Sequence, residues 1–239
     1  WVGEDQTGFL GIDALAVDPH NAGHIWLLAG IAYLNGGRTA ILRSTDYGKT
    51  FDVVDVTTQF KTHGNGFGRQ NGERLAVDPG STQGSAQSST QSSTQAPSTR
   101  LYLGSRRNGL FTSNDAGNTW QKNDALPVMT TPNDVGLNIV LPDPASVKDG
   151  HARRVFVGVS RFGSIGPNLY RSDDAGASFQ PVPGAPVDLM PQRAALDGAG
   201  NLYIAYADGA GPHPDQHGLE PMQRGQVWRY AVEGGAWTN

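Results

Sequence analysis

RSTDYGKTF (Arg43 to Phe51), TSNDAGNTW (Thr112 to Trp120) and RSDDAGASF (Arg171 to Phe179) are near-copies of one unit. They share Ser, any residue, Asp, any residue, Gly, any residue, Thr or Ser, and then an aromatic. A unit of this composition predicts a tight turn between two strands. Asp46, Asp115 and Asp174 can accept hydrogen bonds from backbone N–H groups inside the turn, and Gly48, Gly117 and Gly176 supply a positive φ. The aromatic then tucks under the sheet as the next strand begins. Carboxylates repeated at every turn read as scaffold rather than as a calcium site or a catalytic centre.

Working outward from each unit, the same succession of strands recurs. An innermost strand ends in Asp-Pro or Asp-Gly: GIDALAVDP from Gly11, GERLAVDP from Gly72, LNIVLPDP from Leu137 and QRAALDG from Gln192. A second strand follows (HIWLLAG, TRLYLGS, RRVFVGVS, NLYIAYA), and a third (AILRS, GLFTS, NLYRS, QVWRY) leads into the turn. A fourth leaves it. Short apolar or alternating runs bounded by Gly, Pro, Asn and Asp are strand signals, and a fourfold recurrence of four strands predicts β-propeller blades. The fold class expected is all-β, with about four antiparallel four-stranded blades over residues 6–60, 61–126, 127–184 and 185–239. The last blade carries a degenerate turn, VEGGAW, at Val232 to Trp237. Residues 81–99 are nearly all Ser, Thr and Gln. That composition cannot bury enough apolar surface to offset its ordering entropy and predicts a flexible loop.

Composition narrows the function. No apolar run approaches the roughly 20 residues needed to cross a bilayer. The 18 Lys and Arg are scattered through a chain of net charge -4, which gives no basic stripe for nucleic acid. With no Cys, thiol nucleophiles, disulfides and thiolate metal sites are excluded.

Strands of a blade alternate in direction, so the Asp-Pro turns and the repeated turns share one face, and loops at the opposite face are the candidates for function. Those loops hold Glu4, Asp5, Asp13, Glu73, Asp134, Asp208, Asp215 and Glu220. Glycoside hydrolysis needs two carboxyl groups facing each other across the scissile bond. Asp13 and Glu73, each beside a Gly at the start of an innermost strand, read better as structural hydrogen-bonding groups. His213 and His217 flank Asp215, but a Pro-broken loop does not set both imidazoles on one face, so no metal site is expected. No Gly-x-Ser-x-Gly elbow or phosphate-cradling Gly-rich loop is present.

GIDALAVDP, AILRSTDYGKTF from Ala40, NGERLAVDP from Asn71 and NGLFTSNDAGNTW from Asn108 resemble the N-terminal propeller of glycoside hydrolase family 74. WVGED from Trp1, LPDP from Leu141, GQVWRY from Gly225 and GGAWT from Gly234 fit the same family. Its members are xyloglucan-specific endo-β-1,4-glucanases and related oligoxyloglucan-releasing hydrolases. The resemblance implies a seven-bladed wheel facing a second propeller, with a branched glucan bound in the cleft between them. It also implies inverting hydrolysis by two Asp residues, no metal or organic cofactor, and export of the enzyme to a secreted or periplasmic location. The motifs that carry the two catalytic Asp residues in the family are not among these residues, so the catalytic carboxylates are not assignable and the chain looks like an interior piece of a larger protein.

On that resemblance, Trp1, Tyr33, Arg69, Asn71, Asn133 and His217 are the candidates for contacting xyloglucan or a related β-glucan. The remaining blades and the second propeller are the expected protein partners, with neither nucleic acid nor membrane. Two other readings stay open: a non-catalytic carbohydrate- or protein-binding propeller, and a sialidase-like hydrolase, which the turns permit but for which the Arg cluster is missing.

Overall fold

A computed structural model describes residues 11–30, 38–62, 74–82, 99–128, 135–161, 165–209 and 222–239. Within them the chain forms a β-propeller arc of four antiparallel four-stranded sheets in sequence order. The first sheet comprises β1 (Ile12–Asp18), β2 (Asn21–Gly30), β3 (Thr39–Ser44) and β4 (Asp52–Asp55). The second comprises β5 (Arg74–Val77), β6 (Leu101–Gly104), β7 (Leu110–Ser113) and β8 (Gln121–Lys122). In the third, β9 (Val135–Pro142) leads through a small hairpin, β10 (Val147–Lys148) and β11 (His151–Ala152), to β12 (Val155–Arg161), β13 (Leu169–Ser172) and β14 (Gln180–Pro181). The fourth is β15 (Met190–Leu196), β16 (Asn201–Ala207), β17 (Gly225–Ala231) and β18 (Trp237–Thr238).

The innermost strands pack in series, β1 on β5, β5 on β9 and β9 on β15. Period-two alternation explains how. In β6, Leu101 and Leu103 point into the seam with the first sheet beside Trp26, Leu28 and Ile41. Tyr102, between them in sequence, points the other way, beside Leu137, Val155 and Val157 of the third sheet. A third seam is filled by Phe156, Leu169, Leu202, Ile204 and Tyr230. A strand apolar on both faces is buried on both faces. Each fully enclosed Leu contributes about 1.5–3 kcal/mol relative to an exposed one.

Every innermost strand ends in, or is directly followed by, an Asp whose carboxylate accepts from the N–H two residues on: Asp18 from His20, Asp78 from Gly80, Asp143 from Ala145 and Asp197 from Ala199, all within 2.8–2.9 Å. Of the Ser/Thr/Gln stretch at 81–99, the structure describes Ser81, Thr82 and Thr99. Ser81 belongs to a one-turn helix, α1 (Pro79–Thr82), and its hydroxyl accepts from Arg100 N at 2.9 Å, while Thr82 and Thr99 are buried. Residues 83–98 lie outside the described part.

Candidate functional site

The two ends of the sheets are chemically different. At one end the turn residues Tyr47, Ala116 and Ala175 donate their N–H to Gly23, Thr99 and Arg153, at the starts of the second strands of their own sheets. The three turns are superimposable in their bonding. Ser44 donates to Asp46 Oδ1 and its oxygen accepts from Gly48 N, both at 2.8 Å, while Thr50 donates its N–H to Oδ1 and its hydroxyl to Oδ2. Ser113, Asp115, Gly117 and Thr119 repeat this, as do Ser172, Asp174, Gly176 and Ser178. Hydrogen bonds from Thr50 above all hold Asp46 down to about 2. Burial pushes Asp115 and Asp174 upward, but bonds from Thr119 and Ser178 outweigh it and both end below the ordinary carboxylate value. Such carboxylates have neither a spare oxygen for substrate nor a proton to give.

At the opposite end, three of the innermost strands, β1, β9 and β15, carry a bulge near their starts. Pairing passes from Ile12 to Ala14 in β1, from Leu137 to Ile139 in β9 and from Pro191 to Arg193 in β15. Asp13, Asn138 and Gln192 are thereby left out of the ladders, each five residues ahead of the Asp that ends its strand. A bulge frees one residue from pairing and re-aims its side chain, a device common beside functional sites. Here it sets polar side chains at the mouth of the arc and stitches the sheets together. Arg74 Nε of β5 donates to the Asn138 carbonyl at 2.8 Å, Asn138 Nδ2 donates to the Pro191 carbonyl, and Gln192 Nε2 donates to the Gly209 carbonyl at 3.2 Å. The result is a rigid polar belt running from β5 through β9 to β15. The signal was present in the sequence as Asp, Glu, Asn and Gln at one repeat position, but periodicity alone does not announce a bulge.

On the same end, a cavity of about 450 Å³ opens beside the β6–β7 turn, lined by Arg107, Asn108, Lys122, Asp124 and Gln59 over Leu110 and Phe111. Amide, guanidinium and carboxylate groups around such an opening can bond hydroxyls. Asp208 accepts from Gln223 N at 3.0 Å and Arg224 N at 3.1 Å. Burial raises its pKa, the backbone donors of Arg224 and Gln223 lower it by more, and the carboxylate ends more acidic than usual. That suits a loop clamp and not a general acid.

The six residues singled out for glycan contact, Trp1, Tyr33, Arg69, Asn71, Asn133 and His217, lie outside the described residues, as do Glu4, Asp5, Glu73, Asp134, His213, Asp215 and Glu220. Among the described residues no group of three or more His, Asp or Glu could hold a metal ion. None of the described helices is long and apolar enough to cross a membrane.

No family model matches the chain. A xyloglucanase of a Paenibacillus species is 36% identical over 254 residues, which covers 100% of this chain and 22% of that protein. The crystal structure of a Niastella koreensis glycoside hydrolase family 74 enzyme superposes with a TM-score of 0.82 at 42% identity, over 100% of this chain and 31% of its own. The family 74 xyloglucanase of Xanthomonas campestris gives 0.79 at 35% identity, over 100% and 32%. The chain thus spans between about a fifth and a third of the length of these proteins.

Proposed function

We propose that this chain, which belongs to glycoside hydrolase family 74, forms one wall of the substrate cleft of an inverting, endo-acting β-1,4-glucanase that hydrolyses xyloglucan. The observation that carries this reading is the end-to-end similarity, in sequence and in backbone, to a xyloglucanase and to family 74 enzymes. The physical features agree with a neutral polymer as ligand. The net charge is only -4, and the belt of Arg74, Asn138 and Gln192 is polar and braced between sheets by the Arg74–Asn138 and Asn138–Pro191 hydrogen bonds.

In this reading Trp1 and Tyr33 stack on sugar rings, while Arg69, Asn71, Asn133 and His217 bond hydroxyls. The proton-transferring Asp pair is supplied by other segments of the protein, together with the remaining blades and a second propeller, and the enzyme acts outside the cell that makes it. The test is reducing-sugar release from xyloglucan by the complete protein, with the anomeric configuration of the first products read by proton NMR. Release of oligoxyloglucans with inversion is expected. No release from xyloglucan or any other β-glucan overturns the reading, and release with retention overturns its stereochemistry.

A further inference from the structure

Two of the three seams between the described sheets are closed by the same hydrogen bond. Trp26 of β2 donates from Nε1 to the carbonyl of Ala116, and Tyr102 of β6 donates from its hydroxyl to the carbonyl of Ala175, each at 3.1 Å. Ala116 and Ala175 sit between Asp and Gly of the next sheet's turn, at φ 57° and 60°. Their N–H groups are bonded within their own sheets, so the left-handed residue ties its sheet together through nitrogen and meets the preceding sheet through oxygen.

The third seam changes both partners at once. Register identifies the equivalent residues: Trp26, Tyr102, Phe156 and Tyr203 pair with Ala16, Ala76, Leu141 and Ala195, each two positions before the strand-ending Asp. Phe156 has no donor. The sheet it faces is the fourth, whose turn, Val232 to Trp237, lacks the Ser and Asp. Phe156 packs instead edge-on against Tyr230, with centroids 6.4 Å apart. A donor therefore stands where the following sheet carries the Ser-x-Asp-x-Gly turn, and a bare ring where it does not.

Tyr203 is the fourth member of the series, and it has the hydroxyl. It lies on the face of the fourth sheet turned away from the third, 40% exposed, with Val227 at 62% on the adjacent strand. We infer that this face docks a further four-stranded sheet bearing a Ser-x-Asp-x-Gly turn, and that the residue between its Asp and Gly accepts a hydrogen bond from Tyr203. The solved family 74 relatives carry about three times the length of this chain, which is ample for such a sheet. The inference deepens the reading that further blades flank these four, and it does not depend on the protein hydrolysing anything.

The test is photo-crosslinking in the complete protein, with Tyr203 replaced by benzoylphenylalanine and the crosslinked peptide identified by mass spectrometry. The same label at Val227 repeats the measurement on the same face should the first variant not fold. The expected product joins the label to a peptide that contains Ser-x-Asp-x-Gly and lies outside these 239 residues. A product with the Arg43–Phe51 peptide would identify a second copy as the occupant and overturn the assignment. So would a peptide without the turn, or the absence of any product at both positions. Xyloglucan hydrolysis measured on the same samples separates failure of the docking assignment from failure of the hydrolase reading.

Discussion

Arg74 donates from Nε to the backbone carbonyl of Asn138 at 2.8 Å, and the acceptor is the residue that the bulge in β9 removes from its own ladder. The carbonyl is in a buried residue, 1% exposed, so the guanidinium supplies what strand pairing does not. A charge-assisted bond to a buried acceptor is worth about 1.5–3 kcal/mol. Arg74→Met should lower the unfolding free energy in urea by about that amount, while Arg74→Lys should restore only part, because a point charge does not reproduce the planar fork. An unchanged urea midpoint in Arg74→Met would show that the belt does not brace the sheets.

The repeated turns divide their bonding unequally between Ser and Thr. Ser113 is 1% exposed and its oxygen accepts from Gly117 N at 2.9 Å, whereas the Thr119 bonds to Asp115 lie at the surface. Ser113→Ala strands a buried donor and should cost about 1–3 kcal/mol. Thr119→Ala, with water able to replace its hydroxyl, should cost less than about 1 kcal/mol. Equal losses in chemical denaturation would contradict this burial argument.

Acid should weaken the protein through the same turns. Asp46 is held down to about 2 from an ordinary 3.8, and Asp115, Asp174 and Asp197 are also more acidic than usual. A carboxylate that is more acidic folded than unfolded binds fewer protons in the folded state, so protonation favours unfolding. The stabilisation is complete above the unfolded carboxylate value of about 3.9 and is lost as pH falls toward about 2. Melting temperatures should hold steady near pH 6 and fall below pH about 4. Removing one clamp, in Asp46→Asn, should flatten that fall; a fall of unchanged steepness would place the acid sensitivity elsewhere.

Close approach of the second and third sheets depends on Gly104. A methyl group there would stand 2.6 Å from Val140 Cγ2 and 3.0 Å from Leu137 Cβ, both buried in the seam. Gly104→Ala should cost about 1–3 kcal/mol by overpacking. Neutral behaviour on thermal unfolding would mean that the seam has room to relax.

Much of the architecture was legible from local chemistry. Asp46 with Gly48, and the copies at Asp115 and Asp174, announce their turns because an Asx-type acceptor and a positive φ are encoded within nine residues. That a non-glycine residue, Tyr47, Ala116 or Ala175, also takes the left-handed conformation was not legible. The hairpin of β10 and β11 is too short to show periodicity, and Ser81 is held by Asp78 and Arg100 rather than by anything in its own composition.

By itself, then, the sequence determined the repeat, the all-β arc and the turn chemistry, because each rests on residues adjacent along the chain. Tertiary structure alone decided that Asp13, Asn138 and Gln192 are bulged, that Arg74 serves Asn138, and that Trp26 and Tyr102 latch onto the turn of the following sheet. The Arg74–Asn138 contact and the two latches join residues 64 to 90 positions apart. Their energy exists only once separate sheets have been brought face to face.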